Sequence, residues 1–204
     1  MTPHTPSRAG PSSRVHRRYS RGEVAYAAWL CALWCLTAWA PSSRRDWLLE
    51  NLLVFVAVGV LALTYRRFRF STRAYALFTV FLSLHLVGAH YTYSATPLGF
   101  WLQDALALPR NHYDRIVHFT FGFLLVVPFR ELLLRAAGVR RGWSYGLAVM
   151  LVLALSALYE AIEGAVAMIV SPELGAAWLG TQADAWDAQK DAAPAGLGAV
   201  LTMG

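Results

Sequence analysis

Asp114 and His118 stand four residues apart in Asp114-Arg115-Ile116-Val117-His118, a spacing that puts both side chains on one helix face, one turn apart. So paired, a carboxylate orients an imidazole and raises its basicity as a general base, or the two serve as adjacent metal ligands. A salt link from Asp114 to Arg110 or Arg115 accounts for the same residues without chemistry. Further along, Ser156, Tyr159, Glu160 and Glu163 recur at i, i+3, i+4 and i+7, a polar stripe on an otherwise apolar helix. An ionised carboxylate costs ~2.5–3.5 kcal/mol at the centre of a bilayer, so the stripe is expected to face protein or a water-filled cavity.

Asp184, Asp187 and Asp191 fall at i, i+3 and i+7 and would form one acidic edge of a helix. Three acids on an edge repel unless a divalent metal, a substrate ammonium or an arginine lies against them. Hard oxygen ligands favour Mg²⁺, Mn²⁺ or Ca²⁺, with Zn²⁺ admissible if His118 joins. A solvated acidic loop would read the same way. The candidate catalytic pair is therefore His118 with Asp114, and the candidate ligands of a divalent metal ion are Glu160, Glu163, Asp184, Asp187 and Asp191. His85, His90, Tyr159 and Gln182 are supporting polar residues, the two histidines five positions apart on different faces and read as structural. Glu50 and Asn51 belong to the same layer. Cys31 and Cys35, the only cysteines, are spaced i, i+4 in the first apolar run and read as small lipid-compatible side chains, leaving no Ser or Cys nucleophile with a convincing partner.

The elements that must position these groups follow from composition. The chain of 204 residues is 57% hydrophobic and 15% charged, against about 25% charged for soluble domains, which points to lipid as its solvent. Apolar runs at 24–40, 47–65, 74–93, 116–134 and 143–170, flanked by Arg, Trp or Tyr, are expected to span, and 192–204 is a short sixth candidate. The expected fold is all-α, a polytopic helical membrane protein of about six transmembrane helices. A disordered basic cytoplasmic tail covers 1–22, and a single helical membrane domain covers 23–204. Arg17-Arg18 ahead of the first run faintly suggests a twin-arginine signal, but Pro41 and the later spans favour an uncleaved first helix.

Seventeen of the 18 basic residues are Arg, and most sit just outside apolar runs, where they set topology rather than form a nucleic-acid face. No nucleic-acid partner is expected. Thirteen of the arginines fall in the tail and in the loops around 66–73 and 130–141, which places the N-terminus in the cytoplasm of a multi-pass inner-membrane protein. Ten of the 12 acids, and His85, His90, His112 and His118, fall on or near the other side. Chemistry, if any, faces outward.

Together, His90-Tyr91-Thr92-Tyr93, the run from Arg110 to Phe119, Phe129-Arg130-Glu131, Ser156 to Glu163 and Gly180-Thr181-Gln182 through Asp191 resemble the YjdF-like family of bacterial inner-membrane proteins. The resemblance covers most of 47–200 and implies a multi-span membrane fold rather than a particular reaction. The family pattern has Gly-Asp where this chain has Ala183-Asp184, an aromatic where it has Gly164, and a fuller last span. A more distant likeness in motif order is to VanZ-like membrane proteins, and it implies that Asp114, His118, Glu160 and the acidic edge converge.

Three functions fit these residues. The first is an outward-facing Asp/His/Glu site that binds a divalent cation or a lipid-linked headgroup, acting as a hydrolase or transferase through activated water, with the bilayer and a lipid or lipid-linked substrate as partners. The second is a transporter or proton-coupled permease, which calls for polar residues through the whole thickness. The third is a structural or accessory membrane protein whose polar cluster locks helices together.

Overall fold

The computed structural model describes residues 19–170, 172, 175, 184 and 186–204. Its elements are α1 (Arg21–Ala38), α2 (Arg44–Thr64), α3 (Thr72–His90), α4 (Pro97–Ala105), α5 (Tyr113–Arg135), α6 (Arg141–Ile169) and α7 (Asp187–Met203), with no strand among the described residues. Serines start the first three. Ser20, Ser43 and Ser71 each accept the backbone N–H three residues on, and Glu23 completes a capping box with Ser20. The helix therefore begins at Arg21, inside the stretch assigned to the tail. The rest of that tail, up to Arg18, lies outside the described residues.

Among the described residues four helices, α2, α3, α5 and α6, are long and apolar enough to cross a membrane, so the expected count of about six is met only in part. The shortfall is physical. The first turn of α1 carries Arg21 and Glu23, and α7 has 17 residues, about 26 Å at ~1.5 Å each, with Asp187, Lys190 and Asp191 at its start. The sixth candidate is thus the C-terminal part of a helix that begins upstream, at Asp187.

The third run also ends early. After His90 the chain turns at Thr92 and Tyr93, both at positive φ (54° and 50°), and Pro97 then opens the short α4, which hydropathy alone did not separate. The turn folds the ring of Tyr93 back onto α3 at Gly88, where a Cβ would stand 2.7 Å from the ring.

The helix α5 lies at the centre, packed against α3, α6 and α7, while α1 and α2 pack on α3. One part of the core joins Phe81, Leu82, Tyr93, Tyr113, Val117 and Leu125, and the other joins Val126, Ala148, Val152, Ala195 and Ala199. The contact of α5 with α7 is made by small residues. A Cβ on Gly122 would run into the carbonyl of Ala195, and one on Gly198 into the carbonyl of Phe119. In lipid, where apolar surface gains nothing by leaving its solvent, such backbone approach supplies the packing that holds helices together.

At the end where the α2–α3 and α5–α6 loops meet, ion pairs tie the elements. Glu23 accepts from Arg69 Nε at 2.7 Å, from a second Arg69 nitrogen, and from Tyr65 at 3.0 Å. Glu131 accepts from the Ser71 backbone N–H and hydroxyl, at 2.7 and 2.6 Å, and from Arg135. These contacts hold the Glu23 carboxyl down at about pKa 2, the Arg69 hydrogen bonds first among the causes.

Candidate carboxylate and histidine site

The opposite end gathers acids from four helices. The first turns of α5 and α7 bring Asp114, Asp187 and Asp191 together so that one carboxylate oxygen of each lies within 4.8 Å of the others. The glycine-mediated crossing of α5 and α7 makes this possible, because any side chain at Gly122 or Gly198 would hold the two helix starts apart. His118, buried one turn beyond Asp114, directs Nε2 at two carboxylates, Asp114 Oδ1 at 3.6 Å and Glu160 Oε1 at 3.4 Å. Asp114 and Glu160 thus meet the same ring nitrogen.

The acidic edge divides. Asp187 and Asp191 lie on α7 and turn toward Asp114, whereas Asp184 precedes the helix and is taken by cations. Asp184 is reached by Lys190 at 2.7 Å and by Arg115 at 2.9 Å. Arg110 bonds Asp187 at 2.8 Å, and Arg115 Nε lies 3.6 Å from Asp191. The Lys190 ammonium, with the Trp186 N–H, lowers the Asp184 pKa to about 2. Burial, then the Arg115 and Arg110 guanidiniums, lowers that of His112, which precedes α5. Arginine therefore supplies part of the positive charge that the three acids call for.

Glu160 and Glu163 stand outside the Asp114 group. Along α6, Tyr159, Glu160 and Glu163 lie at i, i+1 and i+4, and the Tyr159 hydroxyl donates to Glu50 Oε2 at 3.4 Å. The series from Glu50 through Tyr159, Glu163, Glu160 and His118 to Asp114 thus runs across α2, α6 and α5.

The supporting residues part company. His85 is fully engaged: Nε2 donates to the Glu50 carbonyl at 3.0 Å, which leaves Nδ1 to accept from the Tyr93 hydroxyl at 2.5 Å. His90 donates from Nδ1 to the Thr37 carbonyl at 2.9 Å and ties α3 to α1, away from the site. Asn51 also faces away, accepting from Trp34 at 2.7 Å. Gln182, with Gly180 and Thr181, lies outside the described residues. Cys31 and Cys35 are free thiols on the exposed surface of α1.

Sequence reasoning passed over Tyr93, Asp46 and Asn111. Asn111 accepts the Tyr113 N–H at 3.0 Å and donates to the Thr96 carbonyl at 3.1 Å, fixing where α5 begins and so where Asp114 points. Asp46 is buried one turn before Glu50. An Asn two residues ahead of a helix is a turn signal that was available; the others depend on contacts remote in sequence.

Residues 23–204 match the family described as "Predicted membrane protein (DUF2238)". The chain belongs to this family. It is 36% identical over 168 residues to the inner membrane protein YjdF of Escherichia coli (strain K12), covering 82% of this chain and 80% of that protein. No solved structure matches. The YjdF-like resemblance holds, and the chain is a helical integral membrane protein; the likeness to VanZ-like proteins receives no support from these comparisons.

Proposed function

We propose that this is a multi-pass inner-membrane protein, N-terminus in the cytoplasm, whose outward-facing site binds one divalent cation through Asp114, Asp187 and Asp191 and acts on the headgroup of a lipid-linked substrate. The observation that carries the reading is the convergence of three carboxylate oxygens, from the starts of two helices, within 4.8 Å. Acids this close, two of them buried, oppose one another unless positive charge lies among them, and oxygen donors suit Mg²⁺, Mn²⁺ or Ca²⁺. His118 lies beside Asp114 and offers a nitrogen ligand for Zn²⁺ or a proton carrier shared with Glu160. A bound divalent cation supplies Lewis acidity and lowers the pKa of a coordinated water. The chain's part is to hold it, to keep Arg110 and Arg115 alongside, and to move protons through His118, Glu160 and Glu163.

Metal analysis of protein purified without chelator tests this. About one equivalent of divalent metal per folded wild-type chain is expected, retained in Lys190→Ala and lost in Asp114→Asn and Asp191→Asn. Correctly folded wild type without stoichiometric metal overturns the cation reading. Accessibility of single cysteines placed at Asp184 and at Arg66 checks the orientation, with labelling from outside expected only at the former.

A further inference from the structure

Beneath the carboxylates, a cavity of about 560 Å³ runs between α2, α3, α5 and α6. Its two ends differ in chemistry. At one lie Glu50, Asp114, His118, Ser156, Tyr159 and Glu163; toward the other the wall is Leu61, Phe70, Phe78, Phe121, Phe129 and Leu132. Both Glu50 and Thr64 line it, so it follows α2 for fourteen residues, about 21 Å at ~1.5 Å per residue. That volume falls within the roughly 300–1,000 Å³ of pockets that enclose one drug-sized ligand, the bulk of a single acyl chain rather than of a whole two-chain lipid.

The lumen also opens sideways. The helix α2 packs along α3 and is bridged to α6 by the Tyr159–Glu50 hydrogen bond at the polar end. Val56 of α2 (64% exposed), below Glu50, and Leu158 of α6 (55% exposed), beside Tyr159, both line the lumen, so it is open between these two helices toward the bilayer. Inside, Ser156 is 2% exposed and its Oγ has no hydrogen-bond partner among the described residues. A buried hydroxyl left unsatisfied costs about 1–3 kcal/mol, and it lies where the apolar wall gives way to the carboxylates.

We propose that this lumen holds a single-chain amphiphile, its tail along the phenylalanine-lined wall and a hydrogen-bond-donating head against Ser156, Glu50 and Glu163. The head chemistry follows from the wall: carboxylate and hydroxyl oxygens are acceptors, so an occupant bearing O–H or N–H satisfies them. The inference rests on the cation reading only for what lies above the head, at Asp114 and His118. The tail is argued from the lumen alone.

Binding of labelled oleyl alcohol to the purified full chain in detergent, with metal content measured on the same samples, separates the two. Saturable binding near one per chain is expected, weakened roughly tenfold or more by Ala57→Trp and by Leu61→Trp, which fill the lumen, and several-fold by Glu163→Gln and Ser156→Ala. The lumen-filling variants are expected to keep wild-type metal content. Absence of saturable binding in wild type overturns this inference and leaves the cation site standing. Binding without metal does the reverse. Equal competition by dioleoylphosphatidylcholine, a two-chain lipid without a donor in its head, overturns the single-chain assignment. Cross-linking of Val56→Cys to Leu158→Cys between two copies, with no oleyl alcohol bound, makes a second chain the occupant and overturns it as well.

Discussion

At one end of the bundle Glu23 is held by Arg69 and Tyr65, and Glu131 by Ser71 and Arg135; at the other, Asp114, Asp187 and Asp191 face one another with His118 alongside. Both ends are rich in charge, yet they solve different problems. The first pairs each of these acids with donors from the α2–α3 connection, joined at Glu131 by Arg135 of the same helix, and it acts as a fastener between α1, α3 and α5. The second concentrates carboxylates faster than Arg110, Arg115 and Lys190 offset them. Unbalanced charge in an apolar surrounding is expensive, and under the function proposed above a bound cation supplies the balance.

The largest break in this comparison comes from a residue that carries no charge. Gly122→Leu drives a side chain into the Ala195 carbonyl and separates α5 from α7. The expected result is loss of about 3 kcal/mol or more of stability together with loss of metal binding, read by thermal unfolding and metal analysis, while Gly146→Ala, at a position with open space around it, leaves both intact.

Neutralising one acid at each end should then give opposite signs. Glu23→Gln removes the charge that Arg69 and Tyr65 bind and lowers stability by about 2 kcal/mol, with or without chelator. Asp191→Asn in the presence of chelator relieves repulsion with Asp114 and Asp187 and raises stability by about 1 kcal/mol, a gain that reverses when divalent cation is added. Destabilisation by both substitutions in chelator would erase the contrast between fastener and site.

The smallest effect concerns pH. The His112 pKa is lowered in the fold, so the unfolded chain takes up the proton first as pH falls. Stability contributed by the neutral ring is present above the unfolded value of about 6.5 and declines as pH drops below it toward the folded value. A small fall in melting temperature between about pH 7 and about pH 5 is expected, and His112→Gln should flatten it.

Much of this arrangement was legible in the residues. Hydropathy located the four described helices that are long and apolar enough to cross a membrane, since runs of about 20 apolar residues match the thickness of a bilayer core. The i, i+4 spacing placed Asp114 beside His118, and the stripe on α6 put Glu160 and Glu163 on one face. What spacing missed was set by contacts remote in sequence. The turn at Thr92 and Tyr93 cuts α3 short because the Tyr93 hydroxyl finds His85, eight residues back. The Asp184, Asp187, Asp191 series looks like one helical edge only until the helix start is known, and α7 begins at Asp187. Spacing assigns Glu50 to the same layer and no more, because nothing local reveals that Tyr159 comes from 109 residues away to meet it.

The mouth between α2 and α6 changes what concentration means for this protein. A ligand that enters from the side is in exchange with a two-dimensional solution, and its occupancy follows its mole fraction among lipids rather than its molarity in water. Adding detergent micelles at fixed protein concentration then dilutes the ligand as surely as dialysis dilutes a soluble one, and returning the protein to small, lipid-poor discs concentrates it again.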